Sequence, residues 1–251
     1  MAQDLDKAPS SYEERLSDHI DDYIQSVIDS PAVRLNEFLQ LKEFAALPAA
    51  SRLLEVPAEG TMLELAYPDA IVERADFIKL GVPQYADNVM LTNWDFIDIP
   101  RLAYDGVLAV VPFHHAVPDE KKRYVAGAWE ALKPGGVLAL GEVEAGSSVH
   151  RFLDGFIDDH TFTGHRGSYP DRNFVHVLEA QGFRHVTTQI RSCPWVFDSE
   201  ESLHAYMTRL FGLKPMSVNA LVDALAQCLG LQVHDDRILV NWSLRYFRGV
   251  K

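Results

Sequence analysis

Cysteine is scarce in this chain: Cys193 and Cys228 are its only two in 251 residues. They lie far apart with no metal-ligand spacing, so both read as buried thiols and a disulfide framework is excluded. Positive charge is also in deficit. Lys and Arg number 23 against 36 Asp and Glu, a formal net charge of −13. A sequence-independent nucleic-acid binder needs a cationic surface to neutralise phosphates, so that class is set aside. The tight basic run Lys121-Lys122-Arg123 falls at an expected helix start and reads as a solvated face. No apolar run approaches the roughly 18 residues that span a bilayer. The opening MAQDLDKAPSSYEERLSDH is acidic and polar, unlike a secretory signal, and points to the cytoplasm. Repeats and low-complexity segments are absent. Nor is there standard zinc spacing: His160 and His165 flank Gly164 but match no such arrangement, and no metal is expected.

What is present is an ordinary globular composition, 47% hydrophobic and 24% charged, on a chain long enough to bury a sizeable core. After a polar tail of about ten residues, Leu16, Ile20, Ile24, Val27 and Ile28 recur at helical spacing from Tyr12 onward. Pro31 breaks that run. A second helix follows through Val33, Leu35, Phe38, Leu39 and Leu41 and closes at Pro48. Residues 1–47 thus form an N-terminal helical cap on an α/β domain of residues 48–251. In that domain strands are expected at 52–56, 70–75, 88–91, 105–111, 137–143, 183–190 and 237–247. Helices are expected at 62–66, 121–132 and 174–181, the last ended by Gly182, with a helical insertion near 199–229. Strands alternating with helices imply a doubly wound, mostly parallel seven-stranded sheet covered on both faces. The last strand, arriving after the helical excursion, is placed antiparallel at an edge.

Ligands of open α/β sheets sit beyond the carboxyl ends of the strands. Five segments should share that rim: Pro57-Ala58-Glu59-Gly60-Thr61, Asp76, Thr92 to Asp95, Pro112 to His115, and Glu144 to Gly146. Several of them resemble the class I S-adenosylmethionine-dependent methyltransferases, in order along the chain. LLEV (53–56) is similar to that family's first strand, with Glu55 at its acid. Asp76 lies one β-α-β step on. Trp94-Asp95-Phe96, the stretch YDGVLAVVPFHHAVPD (104–119) and LKPGG (132–136) follow in register. The resemblance spans about residues 34–190. It implies a Rossmann-like methyltransferase fold and S-adenosylmethionine as cofactor, held by Glu55, Gly60, Asp76, Trp94, Asp95, Phe96 and Pro112. A carboxylate can accept a hydrogen bond from each of two ribose hydroxyls. That is the role implied for Asp76, with Glu73 as the alternative. Asp95 would accept from the adenine amino group, with Trp94 or Phe96 on a base face.

One departure stands out. The family's first loop is glycine-rich, of the form E-x-G-x-G-x-G. Here Pro57, Glu59 and Thr61 occupy those places and Gly60 is one place out of step. Proline removes a donor and glutamate brings bulk and negative charge. Either Gly60 does the work in a rearranged loop, or cofactor binding is altered or lost. His114 and His115, after the fourth strand, would face the methyl group or the acceptor. There a histidine is a general base, or the pair simply packs. His165, Arg166 and Tyr169 are expected to orient substrate. Methyl transfer to a small molecule is the leading reading, a non-catalytic scaffold the alternative. An enzyme using another dinucleotide is disfavoured, since no G-x-G-x-x-G follows any strand. The aromatic final strand also offers a way to pair as a homodimer.

Overall fold

The structure, a computed structural model, describes residues 20–82, 85–111 and 113–251. Tyr12, Leu16 and Pro112 therefore lie outside the described residues. The chain opens with α1 (Ile20–Asp29) and α2 (Leu35–Ala45). Ile20, Ile24 and Val27 in α1, spaced at four and three residues, are buried as one stripe. Between the helices, Pro31–Val33 forms a single 3-10 turn, because proline supplies no N–H to continue α1.

The sheet is built from β1 (Arg52–Glu55), β2 (Ile71–Asp76), β3 (Val89–Leu91), β4 (Tyr104–Val110), β5 (Leu132–Glu142), β6 (Arg184–Ser192) and a final strand, β10 (Ser243–Val250). Their order is β3-β2-β1-β4-β5-β10-β6, seven strands. Neighbours from β3 to β5 run parallel, and β10 is antiparallel to β5 and β6. The order reverses between β1 and β4, so their carboxyl ends flank the crevice where such sheets bind ligands. Both faces are apolar. Leu53, Leu108 and Val110 enter one core, and Leu54, Val107 and Ala109 enter the other. That double burial is why these strands read as continuous hydrophobic runs rather than as alternation.

Helix α3 (Met62–Ala66) follows β1, and α4 (Pro118–Ala131) connects β4 to β5. Beyond β5 come α5 (Ser148–Arg151), a π-helical stretch (Phe152–Ile157) and α6 (Asp158–His160), then α7 (Val175–Gln181). Gly182 caps α7 at φ 110°, as its position after the last apolar residue predicts. Next come β7 (Trp195–Phe197), α8 (Glu200–Phe211), α9 (Val218–Cys228), β8 (Leu231–His234) and β9 (Arg237–Val240). Helix α8 packs on α1 and on α9, which brings the first helix together with the helices of the chain's last third. No helix among the described residues is long and apolar enough to cross a membrane.

Three expectations are corrected. The single strand at 237–247 is two strands: β9 pairs with β7 and β8 in a separate three-stranded sheet, and the chain changes sheets at Asn241-Trp242. Val240 and Trp242 are both buried, so the apolar pattern runs unbroken through the junction and conceals it. Strand β10 is not at an edge. It lies between β5 and β6, where Tyr246 and Phe247 are fully buried on opposite faces, and the largely exposed β6 is the edge. Finally, Cys193 is buried but Cys228 is exposed, because α9 turns only the Leu221 and Leu225 side inward.

Candidate functional site

Beyond the tip of β4 the chain makes a 3-10 turn, Phe113–His115, which divides its side chains. Phe113 enters the core edge-on against Tyr124. His114 and His115, 3% and 6% exposed, enter a cavity of about 80 Å³. The cavity lies between the sheet and the covering helices. Leu153, Ile157, Leu210, Phe211, Trp195 and Trp242 line much of it with carbon, and Trp195 stacks on Trp242 with centroids 4.2 Å apart. His165 reaches the same end from the loop after α6. Among the described residues, polar atoms of the lining that are buried without a hydrogen-bond partner include His114 Nε2, Thr161 Oγ1 and Trp242 Nε1. Apolar walls with a few converging polar groups are what small-molecule sites present.

The imidazoles are held from behind. Glu142, at the end of β5 and 1% exposed, meets His114 Nδ1 at 3.0 Å and also accepts the His114 N–H at 3.0 Å. Asp154, in the π-helical stretch, accepts from Tyr169 Oη at 2.6 Å and lies 3.5 Å from His165 Nδ1. Burial pushes the Asp154 carboxyl up, but the hydrogen bonds from His165 and Tyr169 outweigh it and hold the group below the usual range. The Tyr169 ring stacks on His114 at 5.0 Å, and the Ser168 N–H is donated to the His114 carbonyl at 2.6 Å. Arg166 turns outward and pairs with Asp158 at 2.7 Å. The structure thus brings His114, His115, His165 and Tyr169 together and leaves Arg166 outside.

Glu59 also lines the cavity and is only 2% exposed. Tyr23 Oη donates to it at 2.7–2.8 Å, and Arg34 pairs with it at 2.8 Å and with Glu37 at 2.9 Å. Glu37 in turn accepts from Trp195 Nε1 at 2.8 Å. Burial pushes the Glu59 carboxyl up to about 7, against the attraction of Arg34. Glu59, one of the residues that break the glycine pattern, is therefore tied through Arg34 into a network joining α1, α2 and β7 to the loop after β1.

The expected adenosine contacts meet different fates. Asp76 is fully buried at the tip of β2 and accepts the N–H groups of Ala58 at 3.2 Å and Ile78 at 3.0 Å. Glu73 points elsewhere, to Arg52 and Tyr104. Trp94 lies on Phe77 with centroids 4.0 Å apart. The Gly60 N–H donates to Tyr85 Oη at 2.8 Å, and a Cβ on Gly60 would come within 2.8 Å of Val27. Glu55, 1% exposed, lies 3.4 Å from Arg74, and burial pushes it up to about 8. Asp95 is on the surface, paired with Arg123 at 3.0 Å. Phe96 is in the core, edge-on to Tyr124. The structure does not bring Asp95 or Phe96 to the crevice.

Sequence reasoning missed Tyr23, Arg34, Glu142, Asp154 and Thr161, whereas Trp195 and Trp242, which sequence weighed as pocket-lining aromatics but favoured as core, do line the cavity. Two carried a signal: Arg34 interrupts an apolar helical stretch, and Glu142 ends a strand that is otherwise apolar.

No known family profile matches the chain. It is 33% identical over 132 residues to a curated S-adenosyl-L-methionine-dependent Diels-Alderase of Talaromyces variabilis. That match takes in 47% of this chain and 44% of the relative's length. Three solved structures illustrate the likeness of fold. A SAM-dependent methyltransferase of Thermotoga maritima aligns at TM-score 0.57 and 13% identity, covering 95% of this chain and 98% of its own. One from Archaeoglobus fulgidus aligns at 0.54 and 16%, covering 92% and 98%. The Burkholderia thailandensis 1,6-didemethyltoxoflavin-N1-methyltransferase, with its acceptor and S-adenosylhomocysteine bound, aligns at 0.51 and 14%, covering 100% and 98%. The strand order reversing between β1 and β4, the antiparallel β10 and these likenesses agree: the chain has the class I methyltransferase fold.

Proposed function

We propose that this protein binds S-adenosylmethionine and transfers its methyl group to a small, largely apolar acceptor whose hydroxyl or amine meets the histidine end of the cavity. The observation that carries this reading is that cavity: carbon walls, with polar atoms on His114, Thr161 and Trp242 that have no partner among the described residues, at the tip of β4 beside the strand-order switch. The donor set beside it suits an adenosine. Asp76 would hold the ribose, and Phe77 and Trp94 are an aromatic pair able to take a base between them. The bound cofactor supplies an electrophilic sulfonium methyl. The chain's own task is then to place the acceptor in line with it and exclude water. Because Asp76 is fully buried and Trp94 lies on Phe77, adenosine entry requires the 57–60 loop and Trp94 to move.

The test is calorimetry on the full chain with S-adenosylmethionine and S-adenosylhomocysteine. Submillimolar binding, weakened at least about tenfold by Asp76→Asn, is expected, since one charge-assisted hydrogen bond is worth about 1.5–3 kcal/mol. No binding at millimolar cofactor by folded protein sinks the proposal and favours a non-catalytic scaffold. A second reading is ring formation on an apolar chain with the cofactor bound but its methyl retained. The stacked Trp195–Trp242 wall and the Diels-Alderase likeness support it. Mass spectrometry separates the two: a methyl gain of 14 Da marks transfer, and an unchanged mass with altered retention marks cyclisation.

A further inference from the structure

We infer that His114, His115 and His165 form a binding site for one divalent transition-metal ion, of the zinc or cobalt class, opening onto the apolar cavity. One ring nitrogen from each lies within 4.8 Å of the others, and all three side chains are buried. Around a tetrahedral ion with Zn–N bonds of about 2.0–2.1 Å, ligand nitrogens stand about 3.4 Å apart, so each ring need travel only about 1 Å. His114 Nε2 is an independent sign: it lines the cavity, has no hydrogen-bond partner among the described residues, and belongs to a residue 3% exposed.

The surroundings are those of a metal site. Ligating imidazoles characteristically rest their second nitrogen on a carboxylate, which fixes the ring and raises its basicity. Glu142 stands 3.0 Å from Nδ1 of His114, and Asp154 stands 3.5 Å from Nδ1 of His165. Both carboxylates stand behind the imidazoles, on the side away from the carbon-lined wall of the cavity. Three imidazoles leave a fourth coordination position, as open zinc sites do. Here it faces the cavity, where it would take an oxygen or nitrogen of the occupant. With the ion bound the imidazole lone pairs are occupied, so a proton lost by that occupant passes to solvent and not to a histidine. The site does not depend on methyl transfer. It is assayed without cofactor, so its failure and the failure of the proposed function are separate results.

The experiment is titration of the chelator-treated full chain with cobalt(II) chloride, read by visible absorption and by calorimetry. One-to-one saturable binding with the intense visible bands of four-coordinate cobalt is expected. His115→Gln and His165→Gln, shown folded by circular dichroism, should each lose those bands, while His176→Gln on the surface of α7 should keep them. Should either cluster variant fail to fold, Asp154→Asn serves instead, with an expected affinity loss of about 10–100-fold. Absence of cobalt binding by folded wild-type protein, or equal binding by wild type and cluster variants, overturns the inference.

Discussion

Glu55 and Glu59 sit four residues apart, and both are buried carboxyls held above their ordinary range, at about 8 and about 7, chiefly by desolvation. Their surroundings differ. Glu59 has hydrogen bonds from Tyr23 and Arg34, whereas Glu55 faces the more distant Arg74 at 3.4 Å. A native carboxyl titrating above its unfolded value of about 4.3 binds a proton that the unfolded chain has released. Stability therefore falls as pH rises from that unfolded value through the native one. Urea midpoints should drop between about pH 5 and pH 8. Glu55→Gln should flatten the trend by up to about 1.4 kcal/mol per pH unit. A wild-type midpoint that rises over that range refutes this assignment. From sequence alone Glu59 is a charge in a cofactor loop; the guanidinium 25 residues away that pairs with it is visible only in the fold.

Helix α4 illustrates what a single element decides. Gly127 on this helix faces Phe96, and a Cβ there would lie 2.8–3.0 Å from ring and Cβ atoms of that residue. Phe96 has φ +56°, a left-handed turn that carries its ring under α4 and away from the crevice. Its neighbours Trp94 and Asp95 made it look like a base-stacking residue, and no local pattern announces such a reversal. Gly127→Ala should destabilise the fold by about 1–3 kcal/mol through overpacking, measured by chemical denaturation, with Phe96→Leu in the same chain recovering part of the loss. An unchanged midpoint in Gly127→Ala excludes the close packing. Helices and parallel strands, by contrast, were legible because their apolar spacing is local: four and three residues in α1, unbroken runs in β1 and β4.

Across the whole molecule, Arg34 is the junction. It joins Tyr23 of α1, Glu37 of α2 and Glu59 of the loop after β1, and Glu37 extends the link to Trp195 of β7. Removing one partner of a buried ion pair strands the others, a loss of about 3–5 kcal/mol. Arg34→Met should show that loss in urea unfolding, and α1 amides should exchange hydrogen faster than those of β4. Equal exchange in α1 and β4 would show that α1 does not depend on this junction.

The chain's own pattern determined most of its helices, the parallel core of the sheet and the crevice where strand order reverses, because hydrophobic periodicity and short right-handed crossovers leave few alternatives, but not the small sheet of β7, β8 and β9. Tertiary structure alone decided three things: that His165 meets His114 and His115 from about 50 residues away, that Arg34 closes on Glu59, and that β10 slots between β5 and β6. The reason is physical. Convergence of side chains distant in sequence depends on where crossovers and turns aim them, and residue spacing carries no record of that.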